Sequence, residues 1–168
     1  GRVLILKWNV IFSFPLFLKL IPFALLLSFS GLVLFHGDKT NKKSLIIFFA
    51  IFIAGFIIEA IAVNTGLIFG IYDYGSSLGF KIFSTPLIIG LNWLLLVYTT
   101  SSILEKVKIP NVLKIILASV IMVVYDIVLE QVAPVIDMWN WKNDFIPLQN
   151  YLAWFAISVV FHTLLKML

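Results

Sequence analysis

Two acidic residues lie one helical turn apart inside a segment that is apolar enough to cross a membrane. Asp126 and Glu130 are four positions apart, so a helix presents both of them on the same face. A third acid, Glu59, interrupts a second apolar segment. Acids at bilayer depth are energetically costly and usually face a bundle interior or a wet cavity, so these three residues mark a candidate functional site.

Carboxyl groups in this setting could carry out acid–base chemistry. A medium of low dielectric favours the protonated form of a carboxyl group, and a neighbouring carboxylate favours it further. A carboxylic acid that stays protonated near neutral pH can donate a proton, and an ionised partner can accept one. The alternative is that Asp126 and Glu130 lie at the water boundary and hydrogen-bond to helix ends. That interpretation applies more to Glu130, which is close to the end of its segment.

Two aromatic loops supply a second set of candidates. Tyr72 and Tyr74 flank Asp73 in one loop, and Trp139 and Trp141 alternate in the same way in the other. Their ring faces could stabilise a cation. Tyrosine and tryptophan also collect at membrane interfaces, because one end of each ring is polar. Asp73 is either a catalytic or supporting acid or a solvated loop residue.

The elements that must position these residues are membrane helices. The chain has 168 residues, of which 62% are hydrophobic and only 12% are charged, whereas a soluble domain carries about 25% charged residues. We predict an all-α fold: a polytopic integral membrane helical bundle that forms a single domain over residues 1–168. The absence of cysteine excludes disulfides and thiolate chemistry, and no metal-binding spacing such as HExxH occurs.

The apolar runs predict five transmembrane helices, at residues 16–35, 45–63, 85–103, 110–129 and 150–165. A sixth is predicted if residues 3–14 cross the membrane separately. Glycines at positions 66, 70, 75 and 79 favour turns or a re-entrant loop between the second and third helices. The positive-inside rule places the end richer in lysine in the cytoplasm and both aromatic loops outside. The lysines at that end are Lys39, Lys42, Lys43, Lys106, Lys108, Lys114 and Lys166.

The two aromatic loops belong to two similar stretches of sequence. Each stretch has an acid near the end of a predicted helix, an aromatic-x-aromatic loop, a proline entering the next helix, and an Asn and a Trp. The members are Glu59, Tyr72, Tyr74, Pro86, Asn92 and Trp93 in the first stretch, and Glu130, Trp139, Trp141, Pro147, Asn150 and Trp154 in the second. The spacings differ, so the pattern reflects either chance or an internal repeat of two helix pairs with a site between them.

These residues resemble the membrane carotenoid-biosynthesis proteins of the CruF type, a family associated with carotenoid 1,2-hydratase activity. The resemblance covers about residues 55–160 and is carried by EAIAVNTGLIFGIYDYGSSLG, STPLIIGLNWLLLVYTTS, DIVLEQVAPVIDMWNW and IPLQNYLAWF. Besides Asp126 and the members of the two stretches, it includes Thr65, Gly66 and Gly70. Two positions depart from the family pattern: Gln131 stands where a proline is expected, and Phe145 where a glycine often precedes the IP step.

The resemblance implies an enzyme that adds water to the terminal double bond of an acyclic carotenoid end group, of the lycopene or γ-carotene type. Protonation gives a tertiary carbocation that water captures, and no cofactor is required. From the residues, we assign Asp126 or Glu59 as the proton donor and Glu130 as the group that orients or deprotonates the water; Asp73 completes the catalytic candidates. The candidates for substrate binding are Tyr72, Tyr74, Asn92, Trp93, Trp139, Trp141, Asn150 and Trp154.

Two other functions would use the same features. A carotenoid or prenyl cyclase shares the protonation step, but its cation loses a proton after ring closure. A non-enzymatic lipid-binding or carrier protein would use the acids as a proton relay or as contacts between helices. The expected partners are a carotenoid dissolved in the membrane and the lipid bilayer, without nucleic acid; a homo-oligomer is compatible with the sequence. The expected location is the bacterial inner (cytoplasmic) membrane.

Overall fold

The computed structural model describes residues 18–35 and 42–168, and five helices make up most of that part of the chain. They are α1 (Ile21–Phe35), α2 (Lys42–Thr65), α3 (Ile88–Glu105), α4 (Asn111–Leu129) and α5 (Leu148–Leu165). Helices α2 to α5 are long and apolar enough to cross a membrane, so the predicted helical membrane bundle is confirmed. The choice of membrane and the orientation stay predictions.

The first predicted span differs from the other four. Helix α1 is apolar but has only 15 residues. A helix needs ~20 residues to span the hydrocarbon core of a bilayer. Residues 16 and 17 of that span, and the separate crossing proposed for residues 3–14, lie outside the described residues. The remaining four helices begin and end within three residues of the predicted limits.

The two aromatic segments form strands that pair with each other, where the sequence predicted loops. Strand β1 (Tyr72–Tyr74) runs antiparallel to strand β4 (Trp139–Trp141), with Tyr72 opposite Trp141 and Tyr74 opposite Trp139. Each strand is buried, exposed and buried along its three residues, so all four rings face the interior. Strands β2 (Lys81–Ile82) and β3 (Thr85–Pro86) form a second short antiparallel pair ahead of α3.

The strand pair joins two units of the same composition, α2–β1–α3 and α4–β4–α5. Helices α2 and α4 lead into the strands, and α3 and α5 lead away from them. Trp93 follows Pro86 by seven positions, and Trp154 follows Pro147 by the same interval. These two tryptophans stack with ring centroids 4.4 Å apart and an interplanar angle of 28°. The two units therefore share one order of elements, in which a long helix leads into an aromatic strand and a second long helix follows.

Helices α2 and α3 approach closely because glycines lie at their contact. A Cβ atom on Gly90 would lie 2.5 Å from the backbone oxygen of Phe52, and one on Gly55 would lie 2.9 Å from the Cβ of Trp93. Small residues of this kind allow helices to pack in lipid, where burial away from water supplies little force for association. The close packing fixes α3 against α2 at the depth of Glu59.

Asp137 ties the loop before β4 to the turn after β1. Its Oδ2 accepts hydrogen bonds from the Ser76 hydroxyl at 2.5 Å and the Ser76 backbone N–H at 2.8 Å. Its carbonyl oxygen accepts one from the Ser77 hydroxyl at 2.8 Å. Gly75 is required beside it, because a Cβ there would lie 2.1 Å from the same carbonyl oxygen. The hydrogen bonds from Ser76 lower the pKa of Asp137.

The packing of α2 on α3 predicts a specific cost for Gly90→Ala. The added methyl group would overlap a backbone oxygen that cannot move independently of its helix, so we expect a loss of about 1–3 kcal/mol in the free energy of unfolding. Gly31→Ala is the control, since no heavy atom lies within 4 Å of its added Cβ, and alanine favours a helix over glycine by up to ~1 kcal/mol. Unfolding in detergent measures both; equal stability of the two variants would contradict the close packing.

The bonds to Asp137 predict a pH-dependent contribution to stability. Folding lowers the pKa of this carboxyl, so its stabilising effect is present above the unfolded value of about 3.9 and is lost as pH falls through the folded value. Asp137→Asn should therefore lower the unfolding midpoint at pH 7, and its difference from the wild type should shrink toward zero as pH is lowered past about 4. A difference that stays constant with pH would show that the charge is irrelevant.

Candidate active site

The three acids predicted from the sequence converge on one cavity beneath the β1–β4 pair. Glu59, Asp126 and Glu130 line it and are 4%, 0% and 4% exposed, respectively. The cavity offers about 20 Å³ to the centre of a water-sized sphere, which is room for roughly one water molecule. The other lining residues are Phe69, Tyr72, Tyr74, Ile89, Asn92, Trp139, Trp141, Asn150 and Trp154.

Glu59 accepts three hydrogen bonds from aromatic side chains. The hydroxyls of Tyr72 and Tyr74 donate to its Oε2 at 2.7 and 2.6 Å, and the indole N–H of Trp93 donates to its Oε1 at 2.8 Å. Burial, followed by the nearby charge of Glu59, raises the pKa of both phenols, so they stay protonated and remain donors. These bonds connect the end of α2 to strand β1 and to α3.

Glu130 makes the corresponding contacts in the second unit. The indole N–H groups of Trp139 and Trp141 donate to its Oε2 at 3.0 and 2.6 Å. The residue lies just beyond the last residue of α4, and its backbone N–H still bonds to the carbonyl of Asp126 at 2.9 Å. Burial raises the pKa of the Glu130 carboxyl, and the two indole donors oppose that effect.

Asp126 has fewer partners than either glutamate. Its Oδ2 accepts one hydrogen bond, from the side-chain amide of Asn150 at 2.7 Å. Its Oδ1 is buried and has no hydrogen-bond partner within the described part of the chain. A buried oxygen without a partner is unfavourable. A water in the adjoining cavity would satisfy it, and a proton on this oxygen would remove the cost of burying a charge.

The aromatic rings form a continuous wall around the acids. Tyr72 lies 5.1 Å from Trp141 and 5.4 Å from Tyr74, and Tyr74 lies 6.2 Å from Trp139, measured between ring centroids. Tilted and edge-on contacts at these distances are favourable. The wall therefore surrounds a small polar cavity with electron-rich π systems.

Not every residue predicted from the sequence lies at the cavity. Asp73 is exposed on the opposite face of β1, so it is separated from the three acids by the strand itself. Trp93 lies behind Glu59 and donates to it. Sequence reasoning did not select Phe69 and Ile89, which complete the lining; Ile89 could have been found, because it precedes Asn92 by three residues on the same helix face.

The described residues contain no group of three His, Cys, Asp or Glu side chains placed to hold a metal ion. The chemistry available at the cavity from the chain itself is proton transfer by carboxyl groups beside a wall of aromatic rings. A cation formed there would face both carboxylate charge and ring faces. The small volume restricts any co-reactant to the size of a water molecule.

The contacts of Glu59 predict that its phenol donors support the fold. Tyr74→Phe keeps the ring but removes the hydroxyl, so we expect a loss of about 1.5–3 kcal/mol in the free energy of unfolding, as for hydrogen bonds to charged groups. Tyr125→Phe, at a side chain that is 41% exposed, is the matched control and should change stability by less than about 0.5 kcal/mol. Unfolding in detergent measures both variants. Equal losses for the two would show that the Tyr74 hydroxyl does not anchor Glu59.

Comparison with known proteins identifies the family to which the chain belongs. The model of a family described as carotenoid biosynthesis protein matches residues 17–168. No match was found among curated proteins or among solved structures. The family match covers all four long helices, both aromatic strands and every residue that lines the cavity. The chain is therefore an integral membrane protein that belongs to the carotenoid biosynthesis protein family and has a role in carotenoid biosynthesis.

Proposed function

We propose that the protein is a carotenoid 1,2-hydratase, which adds water to the terminal double bond of an acyclic carotenoid end group. The observation that carries this proposal concerns Oδ1 of Asp126, which has no hydrogen-bond partner among the described residues and is buried beside a water-sized cavity with aromatic walls. A hydration of this kind requires a strong acid, a surface that tolerates a cation, and one water. The family match supports the substrate class.

The first step is protonation of the olefin by Asp126. The O–H bond of the Asp126 carboxyl breaks, a C–H bond forms at the less substituted carbon, and the π electrons of the double bond are consumed. The product is a tertiary carbocation beside an aspartate anion. The faces of Tyr72, Tyr74, Trp139 and Trp141 stabilise this cation without reacting with it.

The second step is capture of the cation by water. A C–O bond forms, and the proton released from the water passes to Glu130. That proton then returns to Asp126, which lies four residues earlier on the same face of the chain. The site ends in its starting protonation state, and the product is a tertiary alcohol. No cofactor takes part in the proposed cycle.

Asn150 and Glu59 hold the reacting groups in place. The amide of Asn150 occupies Oδ2 of Asp126, so the transferable proton resides on Oδ1. Both carboxyl oxygens of Glu59 already accept hydrogen bonds from the aromatic side chains around them, so neither is as free as Oδ1 of Asp126 to carry a proton toward the cavity. We therefore assign Asp126 as the donor and Glu59 as the anchor of the tyrosine rings.

The substrate must approach from the lipid. An apolar groove of about 380 Å³ is lined by Phe29 of α1, Phe52 of α2 and Ile88 of α3, among others. The next residue after Ile88, Ile89, lines the cavity. We propose that the polyene lies in this groove and that its end group enters as the aromatic wall opens, because the cavity as described holds a water but not a branched end group.

Removal of the acids tests the proposal in a host that makes lycopene or γ-carotene. Asp126→Asn and Glu130→Gln should each reduce hydroxylated product by about 100-fold or more, as loss of a general acid or base does. Asp73→Asn is the matched control, since its carboxylate lies on the opposite face of β1, and it should retain activity. Mass spectrometry of the extracted carotenoids measures the gain of one water. Full hydroxylation by both acid variants would remove the proposed mechanism.

The same measurement separates the other functions. A cyclase would give a product of unchanged mass with altered retention and absorption. A binding or carrier protein would co-purify with the unmodified carotenoid and show no turnover in lipid. The wild type is expressed at the same level as the variants. If it gives either of these results, the protein is not a hydratase, and the corresponding function takes its place.

A further inference from the structure

Asn92 is a polar side chain at the cavity to which the catalytic steps above give no role. It is the fifth residue of α3, is partly buried, and lines the cavity together with Asp126 and Glu130. None of the described residues makes a hydrogen bond with its side-chain amide. Polar groups inside a membrane bundle are costly without a partner and usually mark a functional site. We therefore looked for a partner in the cavity, which has room for roughly one water molecule.

The other neutral polar side chains that line the cavity already donate to one of the three acids. They are the phenols of Tyr72 and Tyr74, the indoles of Trp139 and Trp141, and the amide of Asn150. Within the described part of the chain, the amide of Asn92 is thus the neutral polar group of the lining that is left to bind a water. An amide carbonyl oxygen can accept two hydrogen bonds.

Glu130 has one oxygen available to the same water. Both indole N–H groups donate to its Oε2, and no side chain or backbone group of the residues described donates to its Oε1. A water between Oε1 of Glu130 and the carbonyl oxygen of Asn92 would donate one O–H to each. Its oxygen lone pairs would then be left for a cation, which is the orientation that nucleophilic attack requires.

Comparison of the two units indicates that the fold does not require an amide at this position. Trp93 and Trp154 occupy equivalent places in α3 and α5 and stack on each other. The residue before Trp154 is Ala153, where the first unit has Asn92. One unit thus accommodates an alanine at the place where the other has an amide. A role in chemistry accounts for this difference better than a role in the shared scaffold.

We propose that Asn92 is the positioning residue that holds the attacking water, so that the cation is captured by water and does not return to an olefin. This inference rests on the proposed hydratase function. In the competing route, a C–H bond beside the cationic carbon breaks, its electrons form the double bond again, and the proton returns to the Asp126 carboxylate. A water that is already oriented reacts before this proton is lost.

The test measures how the cation partitions between these two routes. The purified full chain in liposomes is given lycopene in D₂O, and the products are counted by mass spectrometry at low conversion. Capture gives hydroxylated lycopene, whereas return gives lycopene that carries deuterium at the carbon that was protonated. Asn92→Leu keeps the approximate size of the side chain but removes the acceptor. It should lower the ratio of hydroxylated to deuterated product about tenfold, as expected for loss of one hydrogen bond in the capture step.

Two further variants control for position and for the acceptor. Asn140→Leu makes the same substitution on the exposed face of β4, and its ratio should equal that of the wild type. Asn92→Asp keeps an acceptor oxygen at the same position, so its ratio should stay closer to the wild type than that of Asn92→Leu. The ratio does not depend on the amount of folded protein, because both products come from the same cation. Asn92→Ala, which copies Ala153, replaces Asn92→Leu if the leucine variant does not fold, and it should also lower the ratio.

The possible failures of the two proposals are distinguishable. If the wild type forms hydroxylated lycopene and the apolar variants of Asn92 give the same ratio as Asn140→Leu, the role of Asn92 is overturned while the hydratase function stands. An equal fall in Asn92→Asp and Asn92→Leu also overturns that role, because the acceptor is present in only one of them. If the wild type forms no hydroxylated lycopene, the hydratase function fails, and the inference about Asn92 fails with it.

Discussion

The structure depends on the hydrogen bonds that two buried glutamates accept from aromatic side chains. A carboxylate buried inside the bundle has no bulk water to replace a missing donor. Glu59 obtains three donors and Glu130 two, all from tyrosine or tryptophan. Because these rings belong to β1, β4 and α3, satisfying the glutamates also fixes the strands over the helices. The cavity is the space left between the satisfied groups.

The same contacts determine how many hydrogen bonds each of the three acids accepts. The carboxyl with the most donors is the most firmly held. Asp126 is the least firmly held of the three, because the described part of the chain gives it one donor and leaves its other oxygen without a partner. A buried site can leave such an oxygen unpartnered only if the surrounding packing is rigid. The stacked pair Trp93 and Trp154 and the close contact of α2 with α3 supply that rigidity.

Sequence reasoning located the helices and the three acids because these features are local. Hydropathy identifies long apolar segments, and a spacing of four residues places Asp126 beside Glu130. The pairing of β1 with β4 could not be predicted, because it joins distant segments of three residues that equally resemble interfacial aromatic residues. The sequence placed Asp73 among the catalytic candidates for the same reason. Once β1 is known to be a strand, Asp73 must point away from Tyr72 and Tyr74, because a strand sends alternate side chains to opposite faces.

The two units have the same order of long helices and aromatic strands, but their acidic residues differ. Gly55 precedes Glu59 by four residues, as Asp126 precedes Glu130, and the space beside Gly55 is filled by Trp93. One half of the molecule thus carries an acid where the other carries no side chain. Under the proposed mechanism, each visit of a substrate modifies a single terminus. A carotenoid with two identical termini must leave, reverse its direction in the bilayer and bind again before its second terminus can react, so singly hydroxylated material would accumulate first.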